Sequence, residues 1–310
     1  MPRLILISIA LLMIVFASVS EITSAGTLPI DTDVIKRSVV FLVYPDGSDG
    51  GTGFIVGIPL KADPAHMHVA IVTARHIVDP QWAGCSINNP QSILLRVNKK
   101  NFDPEHDQTG VSQIVLPLVV NGRNTWASHP DDKVDVAIIP ISDPDGLLKN
   151  DASALSLNEF GTKEEIEKFK IGIGDGLISA GLVPQLFDMR RNYPAFKFAK
   201  ISNVMTEPYR MRCGPNAPPK ERWEWIVAGN FVGGNSGSPI FLLPVEFSIG
   251  PPLQYNGPRP MLIGLLSGNI EGADLGEMVP VEFIFDVIRQ SYTDADLYRG
   301  NPKDKPKTSP

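Results

Sequence analysis

Residues Val232–Ile240 read VGGNSGSPI, two glycines, an asparagine and a serine leading into an apolar run. Three structures compete for such a stretch: a flexible linker, a phosphate-cradling loop, and a tight turn that presents a nucleophile. A phosphate loop needs a helix after the glycines and a lysine at its end. Here the β-prone PIFLL follows and no lysine is near. A linker does not fit between two apolar flanks. What remains is a strained turn exposing Ser236 between two strands. The run IGIGDG at Ile171–Gly176 has the wrong spacing for a dinucleotide fingerprint and reads as a turn.

The whole chain frames that turn. Its 310 residues hold enough apolar sequence for one or two cores. The formal charge is −6, with no basic run before the C-terminal tail, so no nucleic-acid partner is expected. Abundant proline (28) and glycine (27) punctuate short segments, as turns between strands do.

The N-terminus carries Arg3 and then an apolar run, Leu4–Val19. That is shorter than the ~20 residues of a spanning helix and matches a signal-peptide core. Small residues follow, so cleavage after Ser20 or Ala25 is expected; an uncleaved membrane anchor is the alternative. Cleavage implies an exported protein, periplasmic or extracellular, with no further membrane association. Only two cysteines are present, Cys85 and Cys213, so at most one intrachain disulfide is available in that oxidising compartment. Their spacing is not that of a zinc site, and the pair His66 and His68 lacks a third ligand. Neither a metal nor any other cofactor is expected.

From Val39 the chain alternates short β-branched segments with turns: SVVFLVYP, GTGFIVGIPL, HVAIVTARHIV, SILLRVNK, VSQIVLPLVV and VDVAIIPI. A polar connector follows, including a short helix TKEEIEKFKI capped by Thr162. Strands resume at DGLISAGLV, FKFAKISNVM, WEWIVAG, SPIFLLPV and MLIGLLSG, and VPVEFIFDVIRQSY has helical periodicity. Two groups of strands around one connector predict an all-β protein of two packed β-barrels with a C-terminal helix. The expected organisation is a signal segment at 1–25, an N-terminal barrel at 26–145, a connector at 146–170, a second barrel with its helix at 171–295, and a disordered tail at 296–310.

A serine needs a base, and the base needs an orienting carboxylate. His76 ends an apolar strand in IVTARHIV, just downstream of GGTGF. Asp135 opens the apolar strand DVAII, where an unpaired carboxylate costs several kcal/mol unless a donor meets it. Asp131 and Asp132 lie close by, but neither starts a strand.

The segments GTGFIV, VTARHIV, DVAII and GGNSGSPIF, with His, Asp and Ser in that order, resemble the trypsin-like (chymotrypsin-fold) serine peptidases, and within them the bacterial exported branch. The resemblance runs roughly from Val39 to Ser291. It implies two six-stranded antiparallel barrels and a polypeptide substrate. It implies Ser236 as nucleophile, His76 as general base and acid, and Asp135 as orienting carboxylate. It implies an oxyanion hole of the Gly234 and Ser236 N–H groups. Asn235 departs from the aspartate of the digestive enzymes, which argues against their zymogen switch. Arg75, in TARH rather than TAAH, is expected to point to solvent. No segment of PDZ length follows, so the PDZ-bearing heat-shock proteases of the branch are not a full match.

The specificity pocket implied by the resemblance is lined by Asn230, by Ser267, Gly268 and Asn269, and by Glu277 and Met278. Asn230 is a neutral floor, Gly268 an open entrance and Met278 an adaptable apolar wall, so an uncharged P1 side chain is expected. A Glu277 carboxylate turned into the pocket would instead favour a basic P1; its expected direction is toward solvent beside the helix N-terminus. Arg210, Arg212, Lys220 and Arg222 read as a solvated basic surface in a proline-rich loop. The rival to the peptidase reading is the same fold without catalysis, acting as a binding module.

Overall fold

The structure, a computed structural model, describes residues 31–63, 66–183, 186, 189–213, 217–243, 258–270, 272–293 and 295. The expected signal segment and the expected tail lie outside these residues. Asp31 caps helix α1 (Thr32–Ser38) by accepting from the N–H groups of Asp33 and Val34. The chain then enters β1 (Val39–Val43), buried at all five positions as a central strand must be. β2 (Asp49–Pro59), β3 (Met67–Thr73), β4 (Ser92–Asn98) and β5 (Val111–Pro117) follow. β6 (Val119–Val120) and β7 (Arg123–Asn124) pair only with each other, and β8 (Ala127–Ser128) and β9 (Ala137–Pro140) return to the sheet. The order is β5-β4-β1-β2-β3-β9-β8, with β10 (Leu155–Ser156) added to β2 in parallel.

This N-terminal sheet is a curled half-barrel. Its end strands, β5 and β8, do not pair, so the expected closure is complete only in the second half. There β11 (Gly176–Gly181), β12 (Ala195–Asn203), β15 (Trp225–Ala228), β18 (Leu275–Pro280), β17 (Met261–Ile270) and β16 (Pro239–Leu243) close in that order, each antiparallel to its neighbours. Leu177, Val227, Leu242, Ile263, Leu266 and Met278 fill its interior. β13 (Tyr209–Met211) and β14 (Lys220–Arg222) form a hairpin outside the barrel. The two halves are joined through α3 (Pro144–Leu148) and α4 (Lys163–Phe169). Thr162 caps α4 in a reciprocal box with Glu165, as TKEE predicts.

The last helix, α5 (Val281–Ser291), buries Val281, Ile284, Val287 and Ile288 along one stripe, the periodicity read from the sequence. The helical periodicity of VPVEFIFDVIRQSY includes Val279 and Pro280 in this helix. They belong to β18 instead, because Gly276, Met278 and Pro280 have partners on β17. No helix among the described residues is long and apolar enough to cross a membrane.

Cys85, in the loop after the His76 turn, and Cys213, in the β13–β14 loop, are disulfide-bonded across 128 residues of sequence, with Cα atoms 5.2 Å apart. The bond ties the second half's hairpin to the first half's loop. In the chain-entropy picture a loop of this length restricts the unfolded chain by about 4–5 kcal/mol. Replacing both cysteines by alanine should lower the unfolding free energy by about that much in urea titrations. An unchanged midpoint would contradict a stabilising tether.

Candidate active site

His76 lies in a single helical turn, α2 (Arg75–Val78), at the end of β3. Asp135 lies just before β9, which pairs with β3 from Thr73 to Ala70. The shared register carries both residues to the same end of the sheet. Asp135 Oδ1 accepts the His76 backbone N–H at 2.9 Å, and Oδ2 meets His76 Nδ1 at 2.8 Å. Two contacts to one residue fix both the backbone and the ring of the histidine. A carboxylate at Nδ1 leaves the proton there and Nε2 as the ring's acceptor.

Asp135 is fully buried. Burial pushes its carboxyl upward, but the His76 imidazole and the Arg222 guanidinium outweigh that and hold it down at about 2. The neighbouring aspartates do other work. Asp131 accepts from the Trp223 indole, and Asp132 pairs with Arg75 and Lys220.

Ser236 sits at the end of a turn closed by the Asn235 N–H donating to the Val232 carbonyl. Gly234, third in that turn, has φ +84°, while Gly233 is not in the left-handed region. This is a type II turn, and only a residue without Cβ takes that third position without strain. The N–H groups of Gly234 and Ser236 meet no acceptor among the described residues. The Ser236 hydroxyl donates to the Ser267 carbonyl at 2.9 Å, and no hydrogen bond joins it to His76. Asn235 is buried; it accepts from the Val232 N–H and Lys197 and donates to the Leu182 carbonyl.

Thr52, not among the expected site residues, locks the turn to the N-terminal sheet. Its N–H donates to the Ser236 carbonyl and its hydroxyl to the Gly234 carbonyl, both at 2.8 Å. The same hydroxyl accepts from the Leu182 N–H at 2.9 Å. Gly237, at φ +87°, lies so close that any Cβ would overlap the Thr52 carbonyl. The signal was present in GGTGF: a buried threonine amid glycines marks a close backbone approach.

Beside the serine turn lies a cleft of 1020 Å³, bordered by Tyr209, Phe231, Val232, Gly233, Asn269 and Glu277. Several expectations need correction here. Asn230 is exposed and does not line the cleft. Met278 is buried in the barrel interior, because alternation along β18 sends it and Glu277 to opposite faces. Glu277 does not reach solvent. It is buried; its Oε1 accepts the Tyr209 hydroxyl at 2.7 Å, and its Oε2 lies against Gly268, where any Cβ would collide with it. Ser267 is buried, and its hydroxyl donates to the Glu277 carbonyl. Asn269 is exposed at the cleft edge.

The basic surface also divides. Arg210 is exposed, but Arg222 is buried and its Nη1 donates to Asp135 Oδ2 at 2.8 Å. Arg75 is largely enclosed, paired with Asp79 and Asp132 and laid over the Trp82 ring at 4.6 Å. His66 pairs with Asp63, and His68 stacks on Tyr292.

The sequence matches no protein-family description and no curated protein. Among solved structures, the chain is similar to the MamO protease domain from Magnetospirillum magneticum, with 11% identity and a TM-score of 0.47 over 81% of this chain and 96% of that one. It is similar to a serine endoprotease from Yersinia pestis, with 13% identity and a TM-score of 0.46 over 87% of this chain and 69% of that one. It is also similar to an inactive form of the Rv3671c protease, with 15% identity and a TM-score of 0.44 over 83% and 89%. The three are named as a protease domain, a serine endoprotease and a protease in an inactive form. The architecture described above, a closed barrel, a curled half-barrel and a C-terminal helix, is of the chymotrypsin-like kind.

Glu277 gives the cleft a pH dependence. Burial, then the neighbouring Glu224 carboxylate, raises its carboxyl from 4.5 to about 8. A raised carboxyl stabilises the fold fully below its unfolded value and loses that contribution as pH climbs toward the folded one. Thermal melts of Glu277→Gln should therefore match wild type near about pH 4 and gain on it steadily toward about pH 9. A melting difference that stays constant with pH would contradict the buried, protonated Glu277.

Proposed function

We propose that the protein is an exported serine endopeptidase that cleaves polypeptides through an acyl-enzyme. The observation that carries this reading is the pair of hydrogen bonds from His76 to the buried Asp135, beside a type II turn that leaves two N–H groups unengaged at Ser236. In the reaction, Ser236 Oγ leaves the Ser267 carbonyl by rotation about χ1 and comes within reach of His76 Nε2. Catalytic hydrogen bonds of this sort often tighten only when substrate is bound. The hydroxyl oxygen attacks the scissile carbonyl carbon and its proton passes to Nε2. The oxyanion takes the Gly234 and Ser236 N–H groups, each such donor being worth ~3–4 kcal/mol. Collapse breaks the C–N bond, and His76 returns the proton to the leaving amine. Water, deprotonated by His76, then hydrolyses the ester and regenerates Ser236.

Burial and the Glu224 carboxyl raise the Glu277 carboxyl to about 8, which disfavours a negative charge on it near neutral pH and supports an uncharged P1 side chain. Export rests on the N-terminal apolar run alone. The second reading, a binding module without catalysis, draws on the Ser236 hydroxyl's bond to Ser267 instead of His76.

Digestion of casein separates the two. Ser236→Ala should lose hydrolysis by ~10⁶-fold, as loss of the nucleophile does in enzymes of this mechanism, with unchanged circular dichroism. Equal cleavage by the alanine variant, or none by the wild type, would overturn the peptidase reading.

A further inference from the structure

Asp135 Oδ2 has two partners from opposite halves of the molecule. His76 Nδ1 approaches from the N-terminal half, and Arg222 Nη1 approaches from the hairpin of the C-terminal half, each at 2.8 Å. The Arg222 side chain is 5% exposed and that of Asp135 is 0%. Both side chains are shielded from bulk solvent, so each strongly influences the other. Arg222 is placed by a clasp. Its guanidinium lies 5.1 Å from the Trp82 ring, which also carries Arg75 at 4.6 Å and Lys220 at 4.5 Å. Asp132 joins the Arg75 and Lys220 ends at 3.0 and 2.8 Å, and the Cys85–Cys213 bond ties the same hairpin to the same loop. Glu224 Oε1 lies 3.8 Å from the same Arg222 Nη1, and Tyr209 bridges Glu224 to Glu277.

We propose that Arg222 is a positioning residue of the His76–Asp135 pair: it holds the buried carboxylate ionised and oriented, and limits how strongly that carboxylate draws a proton onto His76. The inference rests on the peptidase reading for its kinetic consequences, but not for its physical ones. The sign follows from charge. Asp135⁻ alone favours the protonated imidazole, and a cation sharing the same oxygen opposes that. Removing the cation should leave His76 protonated to higher pH, which disables it as a base. The charged groups around Asp135 are His76 and Arg222 in direct contact, with the Glu224 and Glu277 carboxyls also within electrostatic range. Those facing Arg222 are Asp135, Glu224, Glu277 and Tyr209, with Arg75 and Lys220 across the Trp82 ring.

The test compares Arg222→Gln with Arg222→Lys in the full chain. In Arg222→Gln, kcat should fall roughly 10–100-fold, less than the ~10⁴ that follows loss of the orienting carboxylate's charge, with KM little changed. The acidic limb of kcat/KM should move up by about one pH unit, the shift expected for one removed charge at this range. Arg222→Lys keeps the charge and should keep the limb at its wild-type position. Nitrogen-15 NMR of the His76 imidazole follows the same titration in protein that need not turn over. There the curve should move upward in the glutamine variant and stay in the lysine variant. Wild-type kcat and an unmoved titration in Arg222→Gln would overturn the proposal, leaving Arg222 a structural residue. So would a lysine curve displaced as far as the glutamine one. Should Arg222→Gln fail to fold, Arg222→Met takes its place: an upward displacement of the His76 curve upholds the proposal, and an unmoved curve overturns it. A wild type without hydrolysis that still shows the predicted NMR displacement would uphold this inference and remove the peptidase reading.

Discussion

One buried negative charge organises this protein. Asp135 has no exposure to water, and a carboxylate in that position is stable only with donors on both oxygens. The donors are the backbone and ring of His76 and the guanidinium of Arg222. Supplying them requires β3 and β9 to run side by side and requires a hairpin from the other half to reach across. The disulfide, the Trp82 clasp and the Asp132 bridges all serve that reach.

The second constraint is Thr52. Three hydrogen bonds from one residue join β2 to the serine turn and to the end of β11. The turn itself is held by φ above zero at Gly234 and Gly237, so neither flank relaxes independently. A hydroxyl lost at position 52 leaves the Gly234 carbonyl and the Leu182 N–H without that partner, each costing about 1–3 kcal/mol if still buried.

How much of this the sequence carries depends on whether a feature is local. His76 and Asp135 are legible because a polar residue at the tip of an apolar strand stands out, and the shared register does the rest. The serine turn is legible because glycines are needed at fixed positions within a few residues. Arg222 is not. Its neighbours in sequence are charged and proline-rich, and nothing local says that the hairpin folds back onto a strand 87 residues away. Arg75 fails for the same reason, since Trp82 and Asp132 come to it through the fold. Glu277 and Met278 depend on where β18 begins. Reading VPVEF as continuous with the helix hid the strand, and with it the alternation that buries Met278 inside and turns Glu277 to the cleft. The half-open first sheet depends on strand closure, which no single strand's composition sets.

The most direct measurement of the central claim, that Ser236 is an activated nucleophile, is intact-protein mass spectrometry after treatment with a fluorophosphonate. Ordinary serines do not react, because only a hydroxyl served by a base and an oxyanion site attacks the phosphorus. The account predicts a single adduct, mapped by peptide sequencing to Ser236, whose rate of formation falls as the solution is acidified through the range where imidazole protonates. A folded protein that takes up no adduct, or takes it up elsewhere, would contradict it.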